Sequence, residues 1–317
     1  MTRNKIAARQ NEQGSLTLLA ARRAIYARGK RLLLTQFSLV VAFPIVASLL
    51  TLPVPDLKPT VAFLALCIAV LDTLLLDRLQ KNIRKTAAKI QEHFDCDVLE
   101  IPWDNFEVGA KVEAELVYES AQKYARRSTD AELRDWYPPA VGELPIYLAR
   151  IVCQRTNLWY DAKLRKQFGN LSLAVSLGLV FLLLLTGTVG GFSLSSLVLG
   201  GFAPAAPMIL WGIRERYRQQ DATDAIERIK QEAEKLWQTA AIIGSCDESD
   251  CVRLTRQLQN AIYHLRSNSP MILDLIYWRQ RASLEDLMNK GAAELTRQAL
   301  EAERNRASLP AAGLRLT

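Results

Sequence analysis

The sequence predicts an all-α integral membrane protein: four transmembrane helices in two hairpins, with mostly helical cytoplasmic segments extending from them. Three observations carry this reading. Gly169–Ile213 runs 45 residues without an ionisable side chain, and Leu32–Pro55 runs 24. No soluble core in a chain of 317 residues needs uncharged runs of that length. At about 1.5 Å per residue, the longer run as one helix would be about twice as long as a bilayer core is thick. It therefore divides in two, with Gly187, Gly190, Gly191 and Ser193 supplying the break. The third observation is charge. Residues 1–31 hold eight basic side chains and one acid, so the whole net charge of +7 sits just before the first apolar run.

In chain order, residues 1–31 read as a basic cytoplasmic arm. Residues 32–76 form the first hairpin: Leu32–Leu52, closed by a Pro53-Val54-Pro55 turn, then Thr60–Leu76. Residues 77–170 form a cytoplasmic middle domain. Leu79, Ile83, Ala87, Ile90 and Phe94 repeat at helical spacing, so the helix continues straight out of the bilayer to about Asp95. Val98-Leu99-Glu100-Ile101 before Pro102 reads as a short strand or extended piece. Helix is expected again over 107–127 and from Leu144 to Phe168, around an aromatic loop at Asp135–Pro139. Residues 171–213 form the second hairpin, Leu171–Val189 and Leu194–Ile213. Residues 214–307 form a helical cytoplasmic C-terminal domain, split at Ser267-Asn268-Ser269-Pro270, and 308–317 read as a disordered tail.

Both inter-helix loops are short, and only Asp56 and Lys58 carry charge in them. The opposite flanks are basic, through the arm, Arg78, Lys81, Arg84, Lys85, Lys89, Arg214, Arg216 and Arg218. The positive-inside rule then places both termini and the middle domain in the cytoplasm. An arm against a membrane suits the anionic lipids of an inner leaflet better than DNA or RNA. The first apolar run begins too late for a signal peptide. Five scattered cysteines without a CxxC pair point to free thiols in a reduced compartment, with a Cys246–Cys251 bridge as the alternative.

Within the spans, Asp72 lies about a turn from the inner end of the second, with Gln36 and Thr35 at the matching end of the first. A carboxylate there marks a pore lining or polar interface, or it reaches water at the membrane surface. Gly178, Gly187, Gly191, Gly200 and Gly201 offer close helix packing. No ladder of charges crosses the membrane.

The catalytic inventory is thin. The two histidines, His93 and His264, are far apart, and no metal-spaced set, P-loop or GxGxxG occurs. No enzyme activity, cofactor or metal is expected. An anionic-ligand site is conceivable where Arg155 and Trp159 are i,i+4 neighbours on one helix with Arg165, phosphate pairing beside base stacking. Trp103, Trp136 and Tyr137 are further stacking candidates. The alternative is that these aromatics are simply the core of a small domain.

The series Gln91-Glu92-x-Phe94-Asp95-Cys96-Asp97-Val98-Leu99, Pro102-Trp103, Asp135-Trp136-Tyr137-Pro138, Cys153-Gln154-Arg155-x-Asn157-Leu158 and Leu164-Arg165 resembles the SMODS-associating four-transmembrane effector family. The resemblance covers roughly Ala21 to Ala240, and the two-hairpin layout agrees with it. It implies a pore-forming effector of a bacterial anti-phage system in which a nucleotidyltransferase makes a cyclic nucleotide signal. The effector senses a cyclic nucleotide or cyclic oligonucleotide, forms a homo-oligomer and permeabilises the inner membrane. It assigns no site residues, so those named above rest on residue chemistry alone. Two other readings stand beside it. One is a membrane-anchored interaction protein that docks a partner through the apolar stripe Ile226, Ile229, Ala233, Leu236, Trp237 and Ala240. The other is a constitutive channel or transporter.

Overall fold

The computed structural model describes residues 4–50 and 55–308, and among them the regular elements are all helical. After a single turn at Ile6–Arg9 come α1 (Gln13–Ala47), α2 (Pro59–Leu99), α3 (Ala114–Ala125), α4 (Ile146–Val189), α5 (Leu194–Ile243), α6 (Glu248–Asn268) and α7 (Asp274–Ser308). α1, α2, α4 and α5 are long and apolar enough to cross a membrane. α4 has 44 residues and α5 has 50, so each is about twice the thickness of a bilayer core and extends well outside it. The protein is an all-α membrane protein with four spans, as its uncharged runs require.

Three spans contain a π-helical turn: Ser38–Ala42, Asp72–Leu76 and Val198–Phe202. Two of them lie just before prolines, Pro44 and Pro204. A proline has no N–H for the carbonyl four residues back, and a local change of helical pitch absorbs the mismatch. The Pro53-Val54 part of the expected turn and residues 309–317 of the expected tail lie outside the described residues. Pro55 begins a short 3-10 turn, Pro55–Leu57, and α7 reaches Ser308.

The expected extended piece at Val98–Ile101 is not present. α2 continues to Leu99 and ends on Glu100 in the left-handed region, φ 54, where Ile101 N–H bonds Cys96 O at 3.0 Å. The reason is burial: Ala87, Ile90, Phe94 and Val98 form one helical face, and all are at most 1% exposed. Helix over 107–127 is also shorter than expected. Asp104 Oδ1 accepts from the N–H groups of Phe106 and Glu107, and Gly109 sits at φ 77, so this stretch turns before α3 starts.

Outside the spans there is one principal core. It takes Leu19 and Ala21 from α1, Ile90 and Phe94 from α2, Ile151 and Val152 from α4, Trp237 from α5 and Ala292 from α7. Residues 4–31 are therefore built into the same body as the middle and C-terminal segments. The stripe on α5 is part of the interior too: Ile226, Ala233 and Trp237 are buried. It leaves no apolar face there for a docking partner.

α4 and α5 make the most extensive helix pair. A Cβ on Gly212 would lie 2.0 Å from Ser176 Oγ and 2.8 Å from Ser172 O, and one on Gly187 would meet Leu197 at 2.8 Å. Gly201 is close to Leu183, whereas Gly178, Gly191 and Gly200 face open space. The tightest approach, at Gly212, lies nearest the body.

Candidate functional site

Where the first two spans enter the body, a cavity of about 1340 Å³ opens between α1, α2, α3, α4, residues 126–136 and the junction of α6 with α7. That exceeds the ~300–1,000 Å³ of common small-ligand pockets. Twelve basic and five acidic side chains line it, so the surplus positive charge of the chain is gathered here.

Two stations stand out. At the first, α1 places the Arg22 guanidinium 4.3 Å from the centre of the Trp136 ring. Its Nη1 donates to Gln91 Oε1 at 2.6 Å, and no carboxylate among the described residues pairs with it. Burial pushes Arg22 down to about 10, because a cation removed from water without an anion is disfavoured. At the second station Trp278, near the start of α7, is 48% exposed. The Arg23 and Arg281 guanidiniums each lie 5.5 Å from its ring centre, and Tyr277 meets it edge-on at 5.2 Å. Arg23 pairs with Glu132 at 2.9 Å and donates to the Tyr277 hydroxyl at 3.1 Å. Burial opposes the charge on Arg281, but Tyr277, Glu285 and Glu132 hold it above its usual range. Two polar atoms in this wall, Trp136 Nε1 and the Tyr160 hydroxyl, have no hydrogen-bond partner among the described residues. Burial pushes the Tyr160 phenol up.

Behind the wall lies a polar clamp. Asp95 on α2, fully buried, accepts from Gln91 at 2.6 Å, the Tyr137 hydroxyl at 2.7 Å, Gln259 at 3.0 Å and Arg266. Glu92, one turn earlier, accepts from Arg256 at 2.6 Å and Gln259 at 2.7 Å. Arg266 and Gln91 also line the cavity. A hydrogen-bonded path thus runs from Arg22 through Gln91 to the centre of the body.

Of the six ligand residues expected from sequence, Trp136 and Arg165 line this cavity and the other four do not. Arg165 is engaged with Asp161, Gln219 and the Pro270 carbonyl. Arg155 pairs with Glu234 on α5 at 3.1 Å. Trp159 packs on a small cluster containing Leu164, Phe168, Ile272 and Leu284. Trp103 donates to the Gly109 carbonyl at 3.0 Å beside Lys111. Tyr137 is fully buried and stacked on Phe94. Sequence reading missed Arg22, Arg23, Arg266, Trp278 and Arg281. The charge cluster in residues 1–31 was the available signal for the first two.

The SMODS-associating 4TM effector domain matches residues 4–295. The chain belongs to that family. Every residue lining the cavity of this 4TM effector lies inside the matched span. A protein of Bacillus cereus (strain VD146) with the name "Probable CBASS effector molecule" is 23% identical over 296 residues, which is 92% of this chain and 98% of the relative. No solved structure matches the chain.

The 4TM effector carries a second polar group at the body end of its first hairpin. Gln36 donates to Asp77 at 3.1 Å and accepts from Gln80 at 3.3 Å. Asp72, one π turn deeper, has its Oδ1 without a partner among the described residues. Thr35 donates to the Arg31 carbonyl of its own helix. Among the described residues no group of three or more His, Cys, Asp or Glu is placed to hold a metal ion.

Proposed function

We propose that this 4TM effector serves a bacterial anti-phage signalling system and senses a cyclic nucleotide or cyclic oligonucleotide in its basic, aromatic cavity. The observation that carries the reading is the Arg22–Trp136 station, a buried cation with an aromatic face and no carboxylate partner among the described residues, in one cavity with Trp278 between two further arginines. Phosphate oxygens pair with guanidinium, and bases stack on indole. A free monovalent anion would satisfy the first requirement and leave the second unused.

The reading extends to the membrane. An anionic ligand on Arg22 and Arg266 competes with Gln91 and Asp95, which loosens the tie between α1, α2 and α6. Subunits then assemble into a homo-oligomer, the first hairpin rearranges, and the inner membrane becomes permeable. Asp72 and Gln36 lie on the hairpin that moves. The basic flanks of the spans support both termini facing the cytoplasm, against anionic inner-leaflet lipids. The protein acts here as sensor and effector, without a catalytic step.

Dye-loaded liposomes carrying the purified protein test this. Release is expected with at least one member of a panel of cyclic di- and trinucleotides, and calorimetry is expected to show binding of the same compound. Absence of both across the panel sinks the sensing reading.

A further inference from the structure

Helix α5 passes into α6 through a tight joint. Its last turn, Gln238–Ile243, is π-helical and ends on Gly244 at φ 75, with the N–H groups of Gly244 and Ser245 both bonded to Thr239 O. Arg306, from the far end of α7, seals the joint by donating to the carbonyls of Ala241 at 3.0 Å and Ile242 at 2.8 Å. The left-handed backbone at Gly244 favours glycine, and a Cβ there would also push on that guanidinium at 2.7 Å. Two thiols meet inside this joint. Cys251 Sγ donates to Cys246 Sγ at 3.1 Å, and Cys246 Sγ points at the Asp247 carbonyl at 3.6 Å. Cys251 is fully buried in the first turn region of α6, whereas Cys246 is half-buried and reachable from solvent.

We propose that Cys246 and Cys251 are a redox-active dithiol, which closes to an intramolecular disulfide by exchange with a soluble disulfide such as oxidised glutathione. The two sulfurs need to approach by only about 1 Å to reach bonding distance. Burial, together with the hydrogen bond and charge of Cys246, pushes Cys251 up to about 12, so Cys246 is the sulfur that reacts first. Its thiolate attacks one sulfur of the soluble disulfide, forming a mixed disulfide and expelling one thiolate. Cys251 then gives up its proton and attacks the Cys246 sulfur, expelling the second thiolate. The protein loses two thiol protons and is oxidised by two electrons; the soluble disulfide is reduced to two thiols. The other thiols are placed differently: Cys96 is held between Glu92 and Arg256, Cys153 is buried, and Cys67 lies in the second span.

The position gives the bond a consequence. α5 carries the fourth span, and α6 carries Gln259 and Arg266 of the clamp. Closing the disulfide fixes the angle between them.

The test uses the full chain in detergent, treated with dithiothreitol or oxidised glutathione, then freed of reagent, unfolded in denaturant, alkylated and measured by intact mass and peptide mapping. The oxidised sample is expected to take up two alkyl groups fewer than the reduced one, with the peptides of Cys246 and Cys251 joined. Cys251→Ser is expected to stop at the mixed disulfide on Cys246. Cys246→Ser, at a half-buried position, is expected to leave Cys251 unreacted with the soluble disulfide. Equal alkylation of both cysteines before and after oxidation overturns the proposal. So does a mixed disulfide on Cys246 that persists in the unaltered protein.

Discussion

In the second hairpin α4 and α5 approach until backbone meets side chain, with Gly212 against Ser172 and Ser176 and Gly187 against Leu197. In the first, α1 and α2 share the apolar core of the body and add side-chain hydrogen bonds that a ligand could exchange: Arg22 to Gln91 at the cavity, and Gln36 to Asp77 and Gln80 at the exit of the spans. Close packing has no substitute partner, so it holds one arrangement. A hydrogen bond between polar side chains can be replaced by a ligand that offers a better acceptor. On the proposed reading, the first hairpin is the one that an anion in the cavity can reach, and the second serves as the frame.

Gly212→Leu should break the frame and have the largest effect, a loss of about 1–3 kcal/mol or more from overpacking, read as a lower Tm of the detergent-solubilised chain. Gly178→Leu, with nothing near its Cβ, should leave Tm unchanged. If the two behave alike, the close approach at Gly212 is not what holds α4 against α5. At the cavity, Trp278→Ala should cost about 1–3 kcal/mol of nucleotide binding through lost stacking, with Tm of the free protein preserved. Calorimetry against the compound that triggers dye release measures it. Arg22→Met removes a buried cation that lacks a carboxylate. It should raise the stability of the free protein by about 0.5–2 kcal/mol, as removal of a strained functional group commonly does, and abolish the ligand-induced shift in Tm. A lower Tm would instead make Arg22 a structural tie. The smallest effect concerns Glu92, whose carboxyl is pushed up by burial first and by Asp95 second, against Arg256 and Gln259. A raised carboxyl binds its proton more tightly when folded. Its contribution is therefore complete below the usual carboxylate range and fades as pH rises through the raised value. Glu92→Gln should flatten that part of the Tm–pH curve.

The candidate site was only half legible before folding. Trp136 and Tyr137 are adjacent, yet Trp136 faces the cavity under Arg22 while Tyr137 lies in the core on Phe94 and Asp95. Nothing in residue type separates them; packing does. Arg155 looked free for phosphate because Glu234, its partner, lies 79 residues on. Trp278 was unreadable as a site because the arginines beside it belong to α1 as well as to α7.

Hydropathy and charge along the chain were enough to determine four helical spans, their grouping into two hairpins and their continuation into the body. Lipid accepts only long uncharged helices, and that demand is local in sequence. Where the +7 goes was a tertiary matter. Residues 1–31 looked like an arm for the membrane surface. Their apolar face, Leu16, Leu19, Ala21 and Ile25, is instead consumed by the shared core, which turns Arg22 and Arg23 into the wall of the cavity. Burial of one helical face decides where the other face points, and that face can be read only once its neighbours are in place.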